Sequence, residues 1–132
     1  IMKKNLDKIL AEISAGELID KITILEIKKD KISDKEKLFQ VEKELVSLKE
    51  TLKKSIADQD LILNLKKDLK DINSKLWEIE DGKRNAEKNN DFGKKFVELA
   101  RNVYKFNDER AKIKLKINNL LGSRIKEVKS YE

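Results

Sequence analysis

Hydrophobic residues recur along most of the chain at alternating spacings of three and four, which is the repeat of one face of an α-helix. Two Ser-x-x-Glu patterns, Ser14 to Glu17 and Ser33 to Glu36, are typical of helix N-termini. Gly122 is suited to end the last helix. We therefore predict an all-α fold in one domain, residues 1–132. Its four helices are expected at residues 14–31, 33–56, 60–88 and 92–121.

The third and fourth helices are long and are joined by the short loop 89–93. Such a connection predicts an antiparallel helical hairpin, and the sustained three–four alternation favours coiled-coil-like packing in the hairpin or bundle. Because both helices rise equally per residue, residues whose numbers add to about 181 should lie opposite one another. This register places Asp71 near Arg110 and Trp77 near Tyr104. The basic tail 123–132 alternates weakly and is compatible with a short strand beside Lys8–Ile13.

Composition narrows the fold and the chemistry. The chain has no proline and four glycines, too few turn residues for a β-sandwich or barrel. It has no cysteine and no histidine, which removes disulfides, thiolate chemistry and the commonest general base and metal ligand. We expect no metal site and no cofactor. No apolar run approaches the ~20 residues of a membrane span, so we expect no membrane contact and a cytoplasmic location.

Positive charge is concentrated near one end of the sequence. The formal net charge is +6, and the whole excess lies in residues 94–132. A basic surface for nucleic acid is one interpretation of this asymmetry. A solvated charged helix face is the other, and we favour it because surface helices commonly carry such charges.

A line of polar residues interrupts the apolar stripe of the fourth helix. Arg110 lies between Phe106 and Ile113 at helical spacing, and a charged group there needs a partner. Acidic residues of the third helix and charged residues of the first helix should face this line. The candidate binding cluster is Trp77, Glu78, Asp81, Arg101, Tyr104, Asn107, Arg110 and Lys114. Further contributions from the first helix are expected from Asp20, Lys21 and Glu26.

Two interpretations of this cluster stay open. It is either a network of ion pairs that fixes the helix register, or the lining of a pocket or groove whose arginines hold an anion. No catalytic arrangement stands out, because the serines and threonines have no histidine to activate them.

Several stretches resemble a family of small bacterial and phage helical proteins of unknown function. The similar stretches lie at 13–28, 76–81, 91–104, 107–118 and 127–131, so the resemblance covers about 13–131 and leaves 1–12 outside. It implies a small helical protein and no assigned activity.

A looser resemblance is to the small all-α chorismate mutases, dimeric helical enzymes that hold an anionic substrate with Arg and Lys side chains. The stretch 18–29 is similar to their first helix in rhythm, but it lacks the arginine expected early in that helix. Shared architecture does not imply shared activity.

Three hypotheses of function follow. We favour a non-enzymatic helical module that interacts with another, unknown protein and forms a homo-oligomer, by default a dimer. The first alternative is a protein that binds a small anionic ligand, or a small all-α enzyme, using the Arg/Lys/Glu cluster. The second alternative is nucleic-acid binding through the basic C-terminal third.

Overall fold

The computed structural model describes residues 5–130. Helix α1 is Ala15–Lys31, α2 is Lys35–Ser55, α3 is Leu63–Lys88 and α4 is Lys94–Leu121. A short 3-10 turn, Gln59–Ile62, precedes α3. The described residues contain no strand, so the all-α prediction is confirmed. No helix within this range is long and apolar enough to cross a membrane.

Helix α1 lies at the centre of the arrangement and packs against each of the other three helices. Its apolar residues cover most of its circumference, which is why it is buried on several sides. The core consists of apolar side chains from all four helices and the 3-10 turn. They are Leu18, Ile19, Ile22 and Leu25 of α1, Val41, Leu45 and Leu52 of α2, Ile62 of the 3-10 turn, Leu69 of α3, and Ile117 of α4. Helices α3 and α4 form the hairpin beside α1, and α2 packs on α1 from another side.

The helix boundaries follow local capping chemistry. Ser14 accepts a hydrogen bond from the backbone N–H of Glu17, as predicted. The second helix starts one residue later than the Ser33 pattern indicates, because Asp34 accepts from the N–H of Glu36 at 3.0 Å and acts as its cap. Gly122 ends α4 with a φ of 65°, a left-handed conformation that glycine adopts without strain.

Two further predicted helix starts and one predicted element differ from the structure. Helix α3 begins at Leu63 rather than 60, after the 3-10 turn, and α4 begins at Lys94 rather than 92. Asp91 does not cap α4; its carboxylate accepts the N–H of Gly93 inside the loop. Residues 5–130 contain no strand pair between the N-terminal segment and the C-terminal tail. The two segments contact each other through side chains instead, as in the ion pair of Arg124 with Glu12.

The predicted register of the hairpin agrees with the observed neighbours. The ammonium of Lys75 lies 5.4 Å from the centre of the Phe106 ring. A Cβ atom added to Gly82 would lie 3.2 Å from the side chain of Leu99. In both pairs the residue numbers add to about 181, as equal helical rise requires.

Gly16 allows α1 and α4 to approach closely. A Cβ atom built there would lie 2.9 Å from Oδ1 of Asn118 and closer still to the backbone carbonyl oxygen of Lys114. The backbone N–H of Gly16 also donates a 2.6 Å hydrogen bond to Asn118. A larger residue would therefore separate the two helices and stretch this hydrogen bond.

We predict that Gly16→Ala lowers the free energy of unfolding by about 2 kcal/mol, the usual scale for overpacking in a close contact. Urea denaturation followed by circular dichroism measures this change. Gly82→Ala is the matched control, because its Cβ meets only the flexible end of Leu99. That control should be neutral or stabilising, by up to about 1 kcal/mol, since alanine favours a helix interior over glycine. Equal losses in both variants would contradict the close-contact explanation.

Candidate functional site

A polar seam joins α1 to α4 across their antiparallel contact. It consists of Gly16, Glu17 and Asp20 on α1, facing Asn118, Lys114 and Arg110 on α4. On both helices these residues follow spacings of one helical turn or less, so each α1 residue meets an α4 residue at the same level. The polar line predicted on α4 is thus observed, and its partner is α1.

Asp20 is the most buried acid of the seam, with 1% of its surface exposed. Arg110 donates to both of its carboxylate oxygens, from Nε at 2.8 Å and from Nη2 at 2.5 Å. Asn73 on α3 donates a third hydrogen bond to Asp20 at 2.9 Å. The same Asn73 amide reaches Thr23, whose hydroxyl donates to the backbone carbonyl of Asp20. One carboxylate therefore binds side chains from two other helices.

The guanidinium of Arg110 is held on its remaining side as well. Its Nη1 donates to the side-chain oxygen of Asn107 at 3.3 Å. The hydrogen bonds that Arg110 donates to Asp20 raise the pKa of Arg110, and they outweigh burial, which opposes the charged form. Arg110 is therefore charged at neutral pH, as arginines in proteins generally are.

Lys114 forms the second charged centre of the seam. Its ammonium donates to Glu17 at 2.6 Å and to Glu127 of the C-terminal tail at 2.8 Å. Burial of Lys114 opposes its charge, but the hydrogen bonds to Glu127 and Glu17 and the attraction of the nearby carboxylates together outweigh it, so the pKa of Lys114 is raised. The hydrogen bond from Lys114, together with its charge, lowers the pKa of Glu127. The ion pair of Lys114 with Glu127 therefore holds the C-terminal tail against α4.

The seam opens on one side into a shallow groove of about 1020 Å³ between α4 and the tail. Tyr104, 58% exposed, and Asn107 lie on its rim beside Arg110 and Lys114. The cations that line it are matched by carboxylates, since Asp108 also binds Lys129 of the tail at 2.8 Å. The groove is therefore polar and close to neutral rather than strongly basic.

The structure assembles only part of the predicted cluster. Asp20, Tyr104, Asn107, Arg110 and Lys114 lie together at the seam and groove. Lys21 lies at its edge, 3.5 Å from Glu17. The register places Asp71 at the axial level of Arg110, but the two side chains form no ion pair in the described part of the chain. Asp71 is exposed and lines another groove with Lys75 and Lys116, while Arg110 turns towards α1.

The other predicted members lie elsewhere. Glu78 forms an ion pair with Lys31 at 3.4 Å, and Arg101 is exposed with no ion pair in the described part of the chain. Arg101 precedes Arg110 by nine residues, or about 14 Å along the helix. Trp77 is half-buried and Asp81 is exposed, both on α3 and outside the groove lining. None of these four residues lines the groove.

Glu26 belongs to a separate charge cluster on the other side of α1. Its carboxylate lies 3.7 Å from the ammonium of Lys49 on α2, and 3.9 and 3.8 Å from those of Lys66 and Lys70 on α3. Three lysines from two helices thus surround one acid. Glu26 links α2 to α3 and takes no part in the seam.

The candidate binding cluster omitted Glu17, Asn73, Asn118 and Glu127, whose side chains form hydrogen bonds at the seam. Asn73 lies four residues after Leu69 and three before Leu76, so it falls within the apolar stripe of α3. A polar residue in that position signals a buried hydrogen bond, as Arg110 does on α4. Glu127 carried no such signal, because nothing in the sequence shows that the tail returns to Lys114.

We predict that Arg110→Met lowers the free energy of unfolding by about 3 kcal/mol, since it leaves the buried Asp20 carboxylate without its cation. Equilibrium denaturation measures the loss. Arg101→Met is the control and should change stability by less than about 0.5 kcal/mol, because Arg101 is exposed. The double variant Asp20→Asn with Arg110→Met should recover more than half of the loss. Simple additivity of the two single changes would contradict the pairing.

The tail contact should depend on pH in a defined direction. Because the pKa of Glu127 lies below its ordinary value of 4.5, the pair adds stability above pH 4.5 and loses it as the pH falls through the lowered pKa. The raised pKa of Lys114 preserves the pair until well into the alkaline range. Thermal unfolding of the protein and of Glu127→Gln should therefore differ by about 0.5 kcal/mol at neutral pH and converge in acid. A difference that persists at about pH 2 would contradict this assignment.

Comparison with known proteins gives a family and no activity. The chain matches a family of unknown function, DUF6165, over residues 9–132. No curated protein and no solved structure matches it. The match starts at residue 9, so four residues that the resemblance left outside, 9–12, lie within the family's extent. Since the match covers nearly the whole sequence, the chain belongs to the family of unknown function DUF6165.

Proposed function

We propose that the protein is a non-enzymatic helical interaction module that associates as a homodimer. The observation that carries the proposal is the position of α2, which packs against α1 while its backbone approaches no other helix of the described chain. The remaining faces of α2 are open to solvent. A helix that packs against its own chain on one side only leaves its other faces available to bind a second protein.

Two large apolar side chains lie on the open side of α2. Phe39 is 64% exposed and Val46 is 58% exposed, although Val41 and Leu45, near them in sequence, are buried against α1. Scattered apolar residues on a surface are ordinary. Phe39 and Val46 are seven residues apart, however, and therefore lie on one stripe of the helix. Burial of this stripe in a second copy would remove both side chains from water.

The charges of the seam support this proposal over the anion-binding alternative. Arg110 and Lys114 are already bound by Asp20, Glu17 and Glu127. An anionic ligand would have to displace those carboxylates, and Arg101 lies too far away to assist it. The seam is thus better suited to holding helices together than to binding a metabolite.

Charge pairing also weakens the nucleic-acid alternative. Several cations of the basic C-terminal third are bound to acids, among them Arg110, Lys114, Arg124 and Lys129. Nucleic-acid binding depends on cations that are free to neutralise phosphates. The basic third therefore offers fewer such cations than its sequence suggests.

Analytical ultracentrifugation tests the proposal directly. We expect a reversible equilibrium whose limiting mass is twice that of the 15.4 kDa chain, with the dimer fraction rising with concentration. Inorganic phosphate and a short DNA duplex, added at physiological salt, should leave this equilibrium unchanged. A monomer at every concentration up to about 1 mM would refute the homodimer. An association constant that rises with added phosphate would favour the anion-binding alternative.

A further inference from the structure

The open stripe of α2 has an ordered pattern of charge on its two flanks. Phe39 and Val46 form its centre. With about 100° of rotation per residue, Lys35 and Glu42 lie on one flank of that centre. By the same geometry Glu36 and Lys43 lie on the other. Each flank therefore carries one basic and one acidic residue, seven positions apart, in opposite order on the two sides.

We propose that α2 pairs with α2 of a second copy in antiparallel orientation, with the two Phe39 side chains meeting at the two-fold axis. This inference rests on the proposed homodimer and specifies its interface. In an antiparallel pair of equal helices, residues whose numbers add to about 78 then lie at the same level. Each flank faces the same flank of the other copy, because the two-fold axis is perpendicular to both helices.

This register brings opposite charges together on both flanks. Glu36 faces Lys43 of the second copy, and Lys35 faces Glu42 of the second copy. The two-fold symmetry repeats each pair, which gives four ion pairs around one apolar centre. Each exposed pair contributes little alone, but the four together oppose any register that places like charges side by side.

The start of α2 also offers an apolar contact in this arrangement. A groove of about 700 Å³ lies there, lined by Ile32, Phe39 and Val41 among others. In the antiparallel register, Val46 of the second copy lies at the level of Ile32, just before the first turn of α2. Apolar contact is thus present at the two-fold axis and again on either side of it.

A parallel pair would also match charges, with Glu36 facing Lys35 and Lys43 facing Glu42 of the second copy. It would however place Val46 against Val46 and leave the groove at the start of α2 uncovered. This difference favours the antiparallel arrangement.

The contact in this register is small. Residue numbers that add to about 78 pair within Lys35–Ser55 only over 35–43, so the interface falls below the roughly 1,200 Å² of standard protein contacts. We therefore expect a weak dimer that dissociates at concentrations in the upper micromolar range. Ultracentrifugation can therefore detect variants that weaken the dimer and variants that strengthen it.

A charge-swap series tests the register. Glu36→Lys and Lys43→Glu should each weaken the dimer about fivefold or more, because each places like charges opposite one another twice. The double variant carrying both changes restores attraction in the antiparallel register and should return within about twofold of the original dissociation constant. In a parallel dimer the same double variant would contain two more like-charge contacts than either single variant. Its dimer would therefore be weaker than that of either single variant. That outcome would overturn the proposed orientation.

Phe39→Glu tests the centre of the interface. It should abolish the dimer at concentrations where the unaltered protein is dimeric, while the circular dichroism spectrum shows an unchanged helix content. Leu63→Glu is the matched control, since Leu63 is 62% exposed at the start of α3 and outside the stripe. It should leave the dimer intact. If the unaltered protein dimerises and Phe39→Glu dimerises equally well, the interface lies elsewhere and only this inference fails. If the unaltered protein is a monomer, the proposed function fails before any variant is compared.

Discussion

The buried carboxylate of Asp20 is the constraint on which the rest of the bundle depends. A charge with 1% exposure is tolerated only when its oxygens are fully bonded, and here the bonds come from Arg110 on α4 and Asn73 on α3. If either helix slides by a residue, Asp20 loses a partner while remaining buried. The apolar core supplies most of the favourable energy, but it is less selective about register than this single acid.

The way α1 is held also explains why α2 differs from the other helices. Towards α3 and α4, α1 presents polar groups at Gly16, Glu17 and Asp20, which need specific partners. Towards α2 it presents an apolar surface, which α2 covers with one face. The only ion pair between α1 and α2 within the described residues is that of Glu26 with Lys49, at 3.7 Å. Helix α2 therefore completes the core without being enclosed by it, and its outer face stays open.

The hydrophobic repeat and the capping residues were sufficient to predict the helix type, the helix order and the level at which α3 and α4 face each other. They were not sufficient to predict the partner of Arg110. Equal rise fixes the axial level of two helices, and it places Asp71 and Arg110 at the same level. It does not fix the rotation of each helix about its own axis. Here that rotation depends on α1, which packs against both α3 and α4 and pairs its Asp20 with Arg110. Coiled-coil packing of the hairpin stays a prediction.

The distribution of charge shows a related difference between sequence and structure. Along the sequence the whole positive excess lies in residues 94–132, which suggests a basic surface. In the folded chain, acids from the N-terminal part neutralise cations of that region: Asp20 binds Arg110, Glu17 binds Lys114, and Glu12 binds Arg124. Segment charges therefore overstate surface charge wherever the two ends of a chain fold together. A partner of this protein is better sought through the apolar stripe of α2 than through the basic third of its sequence.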